Sequence, residues 1–331
     1  MRIKRALKIF LILAGIMTNL YGYSQDSHLS QFFGTHLTLN PALTGMFKGN
    51  YRVHLQYRNQ WKSVISKPFE TTNLTYDQPL KRFGIGAYIL NYRAGISGIN
   101  VFNFLLSGAY EITIDHQNEH HLTTGLQLGI IHKSFDPSAL TFDNQYDSSY
   151  ASGTFDPGIS SGETFEKTSI LLPEVNFGVY YYNERKNATF NPYLGVSGFH
   201  LTQPTESFYG QKNKLPMRLV VHGGTKIKIN NNYSAEPNFL YMRQTNDNEF
   251  QFGTLIYYHL SGYDANIFIG PYYRNKDAVI IHVGGLYQDF RIGISYDINT
   301  SSLKGASNGR GGIEFSITYT KQKAKYLPSI L

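Results

Sequence analysis

The sequence predicts an all-β fold: a transmembrane antiparallel β-barrel of about 14 strands, preceded by an N-terminal signal peptide. Three observations lead to this prediction. Apolar and polar side chains alternate over many segments of about 9 to 14 residues, which is the period of a strand with two different faces. The chain has 26 Tyr and 22 Phe but only 16% charged residues, where about 25% is usual for soluble domains. Its first residues are basic and then apolar.

Residues 1–24, within MRIKRALKIFLILAGIMTNLYGYSQ, have the organisation of a signal peptide. Four basic residues precede an apolar run from Ile9 to Ile16, and the small residues Gly22 and Ser24 lie just before the expected cleavage site. The alternative is a membrane anchor, but the run is shorter than the ~20 residues that a spanning helix requires. Because the chain has no cysteine, it has neither a lipid attachment site of the lipoprotein type nor a disulfide framework.

The net charge gives no indication of a nucleic-acid partner. Outside residues 1–24 the chain has 26 basic and 23 acidic residues, a net charge of about +3. The basic residues are dispersed rather than collected in one stripe, so the charge pattern of a nucleic-acid-binding protein is missing.

The first barrel strand is predicted in YRVHLQYRNQW, residues 51–61. Its odd positions are apolar apart from Asn59 and its even positions are polar: Tyr51, Val53, Leu55, Tyr57 and Trp61 alternate with Arg52, His54, Gln56, Arg58 and Gln60. In a membrane barrel such a strand turns its apolar face to lipid and its polar face to the lumen. We therefore expect the odd face outside and the even face inside.

Similar segments follow along the chain and give 14 candidate strands between residues 51 and 321. Their ranges are 51–61, 69–77, 82–93, 98–114, 119–133, 173–183, 189–200, 216–229, 232–243, 248–259, 263–274, 277–287, 290–298 and 311–321. Connections after even strands are short, whereas the long ones, 135–172, 201–215 and 299–310, all follow odd strands. This parity is typical of an outer-membrane barrel with both ends in the periplasm.

The remaining parts of the chain are a pre-barrel segment, 25–50, and a C-terminal tail, 322–331. Within the first, NPALTG predicts a turn at Asn40 and Pro41. A 14-stranded barrel is wider than the 8-stranded kind that its own side chains fill. Segment 25–50, loop 135–172 or part of a partner must therefore fill the lumen.

Charged residues within the strands mostly take the lumen parity: Arg52, Arg58, Arg218, Lys226, Arg291, Asp297 and Glu314. An arginine on the lipid face would cost about 2–4 kcal/mol near the membrane centre. When the last strand pairs with the first, Glu314 lies level with Arg58, which predicts an ion pair across the closing seam. A soluble periplasmic β-sandwich is the alternative interpretation of the same pattern.

No enzyme, metal site or cofactor is expected from the motifs. GISSG at 158–162 matches a nucleophile motif, but no strand and helix flank Ser160 as that motif requires. His116, Glu119, His120 and His121 fall in a predicted turn without the helical spacing of a zinc site. The acidic loop around Asp143 lacks the residue order of a calcium loop.

Several stretches resemble the PorP/SprF family of type IX secretion system membrane proteins from Bacteroidetes. They are SQFFGTHLTLNPALTG, YRNQW, HLTQPT and FRIGISYDINTSSLKGASNGRGGIEFSITY. In this order they cover nearly the whole chain after the signal peptide. The residues that match the family's recurrent motifs, with the seam residue Glu314, are Asn40, Pro41, Gly45, Arg58, Asn59, Gln60, Trp61, Asn308, Gly309, Arg310 and Gly311. They either bind a partner or build the barrel.

The resemblance implies a non-enzymatic outer-membrane barrel that supports export or surface anchoring of a secreted protein, such as a gliding adhesin with a C-terminal sorting domain. The implied partners are that adhesin, other type IX secretion components, a periplasmic peptidoglycan-associated OmpA-like lipoprotein and outer-membrane lipid. The alternative function is a passive porin or a transporter of apolar solutes.

Overall fold

The computed structural model describes residues 26–322, except 63, 96–97, 118, 148–152, 186–187 and 211. The predicted signal peptide, residues 1–24, and residues 323–331 of the predicted tail lie outside this range. Among the described residues, no helix is both long and apolar enough to cross a membrane.

Fourteen antiparallel strands form a closed barrel in which the last strand pairs with the first, as predicted. A separate two-stranded ribbon lies in one loop. In chain order the strands are β1 Tyr51–Gln60, β2 Phe69–Leu80, β3 Phe83–Ala94, β4 Ile99–Thr113, β5 His120–Ser134, β6 Tyr146–Asp147, β7 Thr154–Phe155, β8 Ser169–Asn183, β9 Phe190–Phe199, β10 Arg218–Lys228, β11 Tyr233–Gln244, β12 Asp247–Leu260, β13 Ala265–Arg274, β14 Ala278–Tyr287, β15 Phe290–Asn299 and β16 Arg310–Lys321. β6 and β7 make the ribbon, and the other strands make the barrel.

The two faces of the strands differ as the alternation predicted. Leu55 is 43% exposed on the outside and lies opposite Leu74 and Ile317, which are also exposed. Arg58, on the even face, is only 1% exposed. The apolar row of β1 therefore forms part of the outer surface, and its polar row faces the interior.

Connections at the two ends of the barrel differ in length. The end where β1 begins and β16 finishes has short turns, and we name it the turn end; the opposite loop end has the long connections 135–168, 200–217 and 300–309. The first of these is shorter than the predicted 135–172, because residues 169–172 extend β8 by pairing with 131–134 of β5. In outer-membrane barrels short turns face the periplasm and long loops face the outside.

Residues 26–50 occupy the interior, and we name them the plug. Asp26 lies at the loop end, where its backbone N–H donates to Gln244 at the end of β11. At the turn end, the N–H of Asn50 donates to Lys321. Between these points the plug forms a short helix, α1 (His36–Leu39), and 3-10 turns at Phe32–Gly34 and Pro41–Leu43. Of the three expected ways to fill the lumen, the structure uses the N-terminal segment.

An apolar cluster seals the plug against one side of the wall. Phe32, Leu39 and Leu43 of the plug pack on buried residues from six strands, β9 to β14: Phe199, Val220, Leu240, Leu255, Phe268, Tyr272, Ala278 and Ile280. Burial of such side chains contributes about 1.5–3 kcal/mol each. On this side the plug and the wall thus form a packed core.

Candidate functional site

The predicted seam ion pair is present and buried. Arg58 on β1 lies directly opposite Glu314 on β16, with 3.0 Å between the Arg58 Nη1 and Glu314 Oε2 atoms. Arg58 Nη2 also contacts Asp297 Oδ2 on β15, at 2.8 Å. Arg58 therefore bonds two carboxylates on neighbouring strands at the closing seam.

Arg274 on β13 joins Arg58, Asp297 and Glu314, which together with Ser30 we name the seam cluster, and it also pairs with Asp277 at 2.8 Å and Glu249 at 3.6 Å. Its Nη2 lies 3.1 Å from Asp297 Oδ2 and 2.6 Å from Ser30 Oγ. All four charged side chains of the cluster are nearly inaccessible to solvent. Each of these charges has an oppositely charged partner within the cluster, which avoids the penalty of an unpaired buried charge.

Ser30 and Gln31 connect the plug to this cluster. The Ser30 hydroxyl donates to Asp297 at 2.8 Å and accepts from Arg58 Nη1. The backbone N–H groups of Ser30 and Gln31 each donate to one Glu314 carboxylate oxygen at 2.8 Å. The residues that close the barrel therefore also hold the plug.

A second ionic contact fixes the start of the plug at the loop end; we name it the outer clamp. His200 Nε2 lies 2.6 Å from Asp26 Oδ2, and its Nδ1 lies 2.9 Å from the Glu174 carboxylate. Arg218 Nη1 approaches the same Asp26 oxygen at 3.0 Å. Burial alone would lower the pKa of His200, but the carboxylates of Asp26 and Glu174 outweigh it and raise this pKa to about 9.

The plug turn Asn40–Leu43 makes a third contact with the wall, at glycines that we name the glycine seat. A Cβ on Gly125 of β5 would lie 2.3 Å from the Pro41 carbonyl carbon, and one on Gly178 of β8 would lie 2.0 Å from Asn40 Oδ1. Gly84 and Gly195 approach the plug or its partners as closely. At these glycines the strand backbone carries no side chain, so the plug lies directly against it.

Asn40, Pro41 and Gly45 hold the plug turn in this seat. The Asn40 side chain accepts from the Ala42 N–H at 2.9 Å and donates to the Val179 carbonyl at 3.0 Å. Pro41 starts the 3-10 turn. Gly45 has a φ of 72°, which favours glycine. In this structure the three motif residues make contacts within the chain.

The other motif residues meet at the loop end of the seam. The backbone N–H of Trp61, just after β1, donates to the Gly311 carbonyl at 3.0 Å. Asn308 and Gly309 both have positive φ and form the turn between a short helix, α2 (Lys304–Ser307), and β16. The structure thus brings together Asn59, Gln60, Trp61, Asn308, Gly309, Arg310 and Gly311 around one strand pair, whereas Asn40 and Pro41 contact other strands.

Sequence reasoning missed Ser30, Arg274 and the outer clamp. Arg274 has the inward parity of β13, and Asp297 was among the predicted lumen charges, so a search for inward charges near the seam could have found Arg274. No sequence signal placed Ser30, Asp26 or His200 beside their partners.

The histidines and the glutamate that are clustered in the sequence do not form one site in the structure. His120 and His121 lie in β5, as the predicted strand 119–133 places them, and not in the turn to which the histidine motif was assigned. His121 pairs with Glu111 at 2.8 Å, and Glu119 pairs with Arg185 at 2.8 Å. Within the described ranges, no group of three or more metal-ligating His, Cys, Asp or Glu side chains is found.

A cavity of about 400 Å³ lies beside the plug and is bordered by residues near the loop end; we name it the outer cavity. Much of its wall is apolar, with Leu90, Val220, Leu240 and Met242 among the lining residues. The charged residues on its wall are engaged in pairs, including Lys133 with Glu206 at 2.7 Å and Asp26 with Arg218.

Comparison with known proteins gives one family and a set of similar folds. The family described as "Type IX secretion system membrane protein PorP/SprF" matches residues 21–319. No curated protein matches the sequence.

Among solved structures, the CymD monoaromatic hydrocarbon channel has a TM-score of 0.51 at 10% identity, covering 88% of this chain and 94% of that one. The TodX deltaS2S3 mutant monoaromatic hydrocarbon channel has a TM-score of 0.52 at 11% identity, covering 87% and 94%. The Ralstonia pickettii toluene transporter TbuX has a TM-score of 0.48 at 10% identity, covering 87% and 93%. At these identities the likeness concerns the barrel fold alone.

The seam cluster predicts a charge-exchange result. Arg58→Glu or Glu314→Arg alone should cost about 3–5 kcal/mol, because each leaves buried like charges side by side. The double variant should assemble better than either single variant but less well than the wild type, since Asp297 then keeps only Arg274. Heat-modifiable gel mobility of the outer-membrane fraction measures assembly. Lys276→Glu, in an exposed turn, is the control. A double variant no better than the single variants would contradict the pairing.

The glycine seat predicts that Gly125→Ala displaces the plug without preventing barrel formation. The added methyl group overlaps plug backbone, so we expect a loss of about 1–3 kcal/mol and a higher ion conductance in planar bilayers. Gly108→Ala on β4 is the control, because its nearest contact would be at 4.0 Å. Equal conductance of the two variants would show that the turn does not depend on this seat.

The outer clamp predicts a pH dependence of stability. A histidine whose pKa rises from 6.5 to about 9 on folding stabilises the fold fully below pH 6.5, and this contribution disappears as the pH rises through 9. The loss should be on the order of 3 kcal/mol. His200→Gln should remove this change, whereas His116→Gln, in a turn at the other end, should keep it. Urea unfolding in lipid vesicles between pH 6 and 10 measures the effect, and identical pH profiles for wild type and His200→Gln would refute it.

Proposed function

Because the chain belongs to the PorP/SprF family of type IX secretion system membrane proteins, we propose that it is a non-enzymatic outer-membrane barrel that retains a secreted protein at the cell surface. In this role the barrel is an anchor or export accessory and not the conduit through which the secreted protein crosses the membrane.

The observation that carries this proposal is the closed lumen. The seam cluster, the outer clamp and the glycine seat hold the plug at three places, and the apolar cluster packs it against one side of the wall. Even a single helix needs a passage about 10–12 Å wide. A polypeptide cannot cross while the plug is in place, whereas a docked partner needs only the ends of the barrel.

The loop end is the surface that we expect the secreted partner to contact. Loops 135–168 and 200–217 pack on each other through Phe135 and Phe208, with ring centroids 4.7 Å apart, and the Glu166 N–H donates to the Phe208 carbonyl at 3.0 Å. Tyr146, Phe155 and Tyr209 project from this platform with exposed rings. Exposed aromatic groups on an ordered platform are typical of protein-binding surfaces.

The family suggests partners at both ends of the barrel. At the loop end we propose a secreted adhesin or its C-terminal sorting domain. At the turn end we propose other type IX secretion components and a peptidoglycan-associated OmpA-like lipoprotein. The N-terminal residues would direct export, and the barrel would reside in the outer membrane.

Affinity purification from detergent-solubilised outer membranes tests this function. A tagged chain should co-purify with a secreted surface protein, and loss of the chain should release that protein into the medium. Replacing Tyr146, Phe155 and Tyr209 by Ser should reduce co-purification by about tenfold, since such anchors each contribute more than 1 kcal/mol. Tyr263→Ser, an exposed tyrosine in a turn at the opposite end, is the matched control. Normal surface retention in cells without the chain would refute the proposal.

A passive channel for apolar solutes is the second candidate. The apolar wall of the outer cavity favours it, as do the monoaromatic hydrocarbon channels with a similar barrel. Uptake of toluene by vesicles containing only the purified barrel distinguishes the two functions. The anchor function predicts uptake no faster than into empty vesicles.

A further inference from the structure

A second cavity, of about 360 Å³, lies at the turn end of the lumen, and we name it the vestibule. Strands β9 to β15 contribute to its wall, with Lys226, Lys228, Glu236, Tyr257 and Arg291 among the lining residues. The vestibule is open toward the turn end, which in outer-membrane barrels faces the periplasm. It is separate from the loop end, where we place the secreted partner.

The charges on the vestibule wall are mainly positive. Lys226, Lys228 and Arg291 face it, and Glu236 is the only acidic residue among the described residues that line it. Glu236 accepts hydrogen bonds from the Tyr193 hydroxyl at 2.9 Å and the Tyr257 hydroxyl at 3.5 Å. Both lysines are exposed, and among the described residues neither has a carboxylate within 4.0 Å.

Arg291 differs from the other lumen arginines. Its guanidinium lies 4.7 Å from the Phe268 ring centroid and 5.5 Å from that of Phe33 in the plug, and Nη2 donates to the Tyr257 hydroxyl at 3.2 Å. Arg52, Arg58, Arg218 and Arg274 each bond a carboxylate, but Arg291 has no carboxylate within 4.0 Å in the part of the chain that the structure describes. Aromatic rings therefore hold its position and leave most of its five donors available.

We propose that the vestibule binds an acidic segment of a periplasmic polypeptide. Its carboxylates would bond the Arg291 guanidinium, which suits a planar two-oxygen acceptor, and would lie near the ammonium groups of Lys226 and Lys228.

The spacing of the cations favours a segment with several charges over one small anion. Lys226 and Lys228 lie on β10 and Arg291 lies on β15, five strand-to-strand steps away. At about 4.8 Å per step the two positions are about 24 Å apart along the wall. A single phosphate cannot contact both sides, but an extended peptide advances about 3.3 Å per residue and presents carboxylates to each.

Binding of a labelled hexaglutamate peptide to the purified full chain in neutral detergent tests this proposal. Fluorescence anisotropy should show binding that weakens with added NaCl, because exposed charges are screened. Hexaglutamine should not bind. Lys226→Gln with Lys228→Gln should raise the Kd about tenfold, and Arg291→Gln should raise it by a similar factor.

Lys81→Gln with Arg82→Gln is the matched control, because it removes two exposed charges from the β2–β3 turn at the same end and should leave the Kd within about twofold of the wild type. Heat-modifiable mobility establishes that each variant is folded, and if Arg291→Gln does not assemble, the double lysine variant decides alone. Three results would each overturn the proposal: equal binding of hexaglutamine, an unchanged Kd in the double lysine variant, or complete displacement of the peptide by inorganic phosphate at equal charge concentration.

Discussion

The Glu314 carboxylate is the interaction on which the rest of the structure depends. It accepts from Arg58 across the closing seam, from the Gln56 side chain on the same strand as Arg58, and from two backbone N–H groups of the plug. A carboxylate buried at this depth is tolerated only when its oxygens are fully bonded. Closure of the barrel and insertion of the plug therefore satisfy the same acceptor, and each supplies only part of its hydrogen-bond donors.

This arrangement makes assembly strongly non-local. Ser30 and Glu314 are 284 positions apart in the sequence, so this contact requires two distant ends of the chain to meet. Contacts of such separation are associated with slow folding. The same contact stabilises the assembled barrel, because the plug cannot leave without exposing buried charges of the seam.

Much of the barrel follows from the sequence, and most of the interior does not. Alternation fixed which face of β1 is outward, and antiparallel closure placed Arg58 level with Glu314, because both depend only on period and direction. The plug has no such period, so its path along the wall could not be derived. Ser30, Asp26 and His200 acquire their roles from tertiary neighbours. In the sequence, the glycines of the seat are indistinguishable from other glycines within strands. The start of β8 was missed because residues 169–172 follow a loop of low complexity.

At the glycine seat, the barrel wall and the plug together fill one limited interior volume. Gly125 and Gly178 leave out the side chains that a barrel interior would ordinarily contain, and Asn40 and Pro41 supply that volume from another part of the chain. At Gly178 the overlap would be with the Asn40 side chain, so a larger wall residue there requires a smaller plug residue, whereas at Gly125 the overlap would be with plug backbone and no plug substitution relieves it. Among related sequences we therefore expect such positions to be substituted in pairs or not at all.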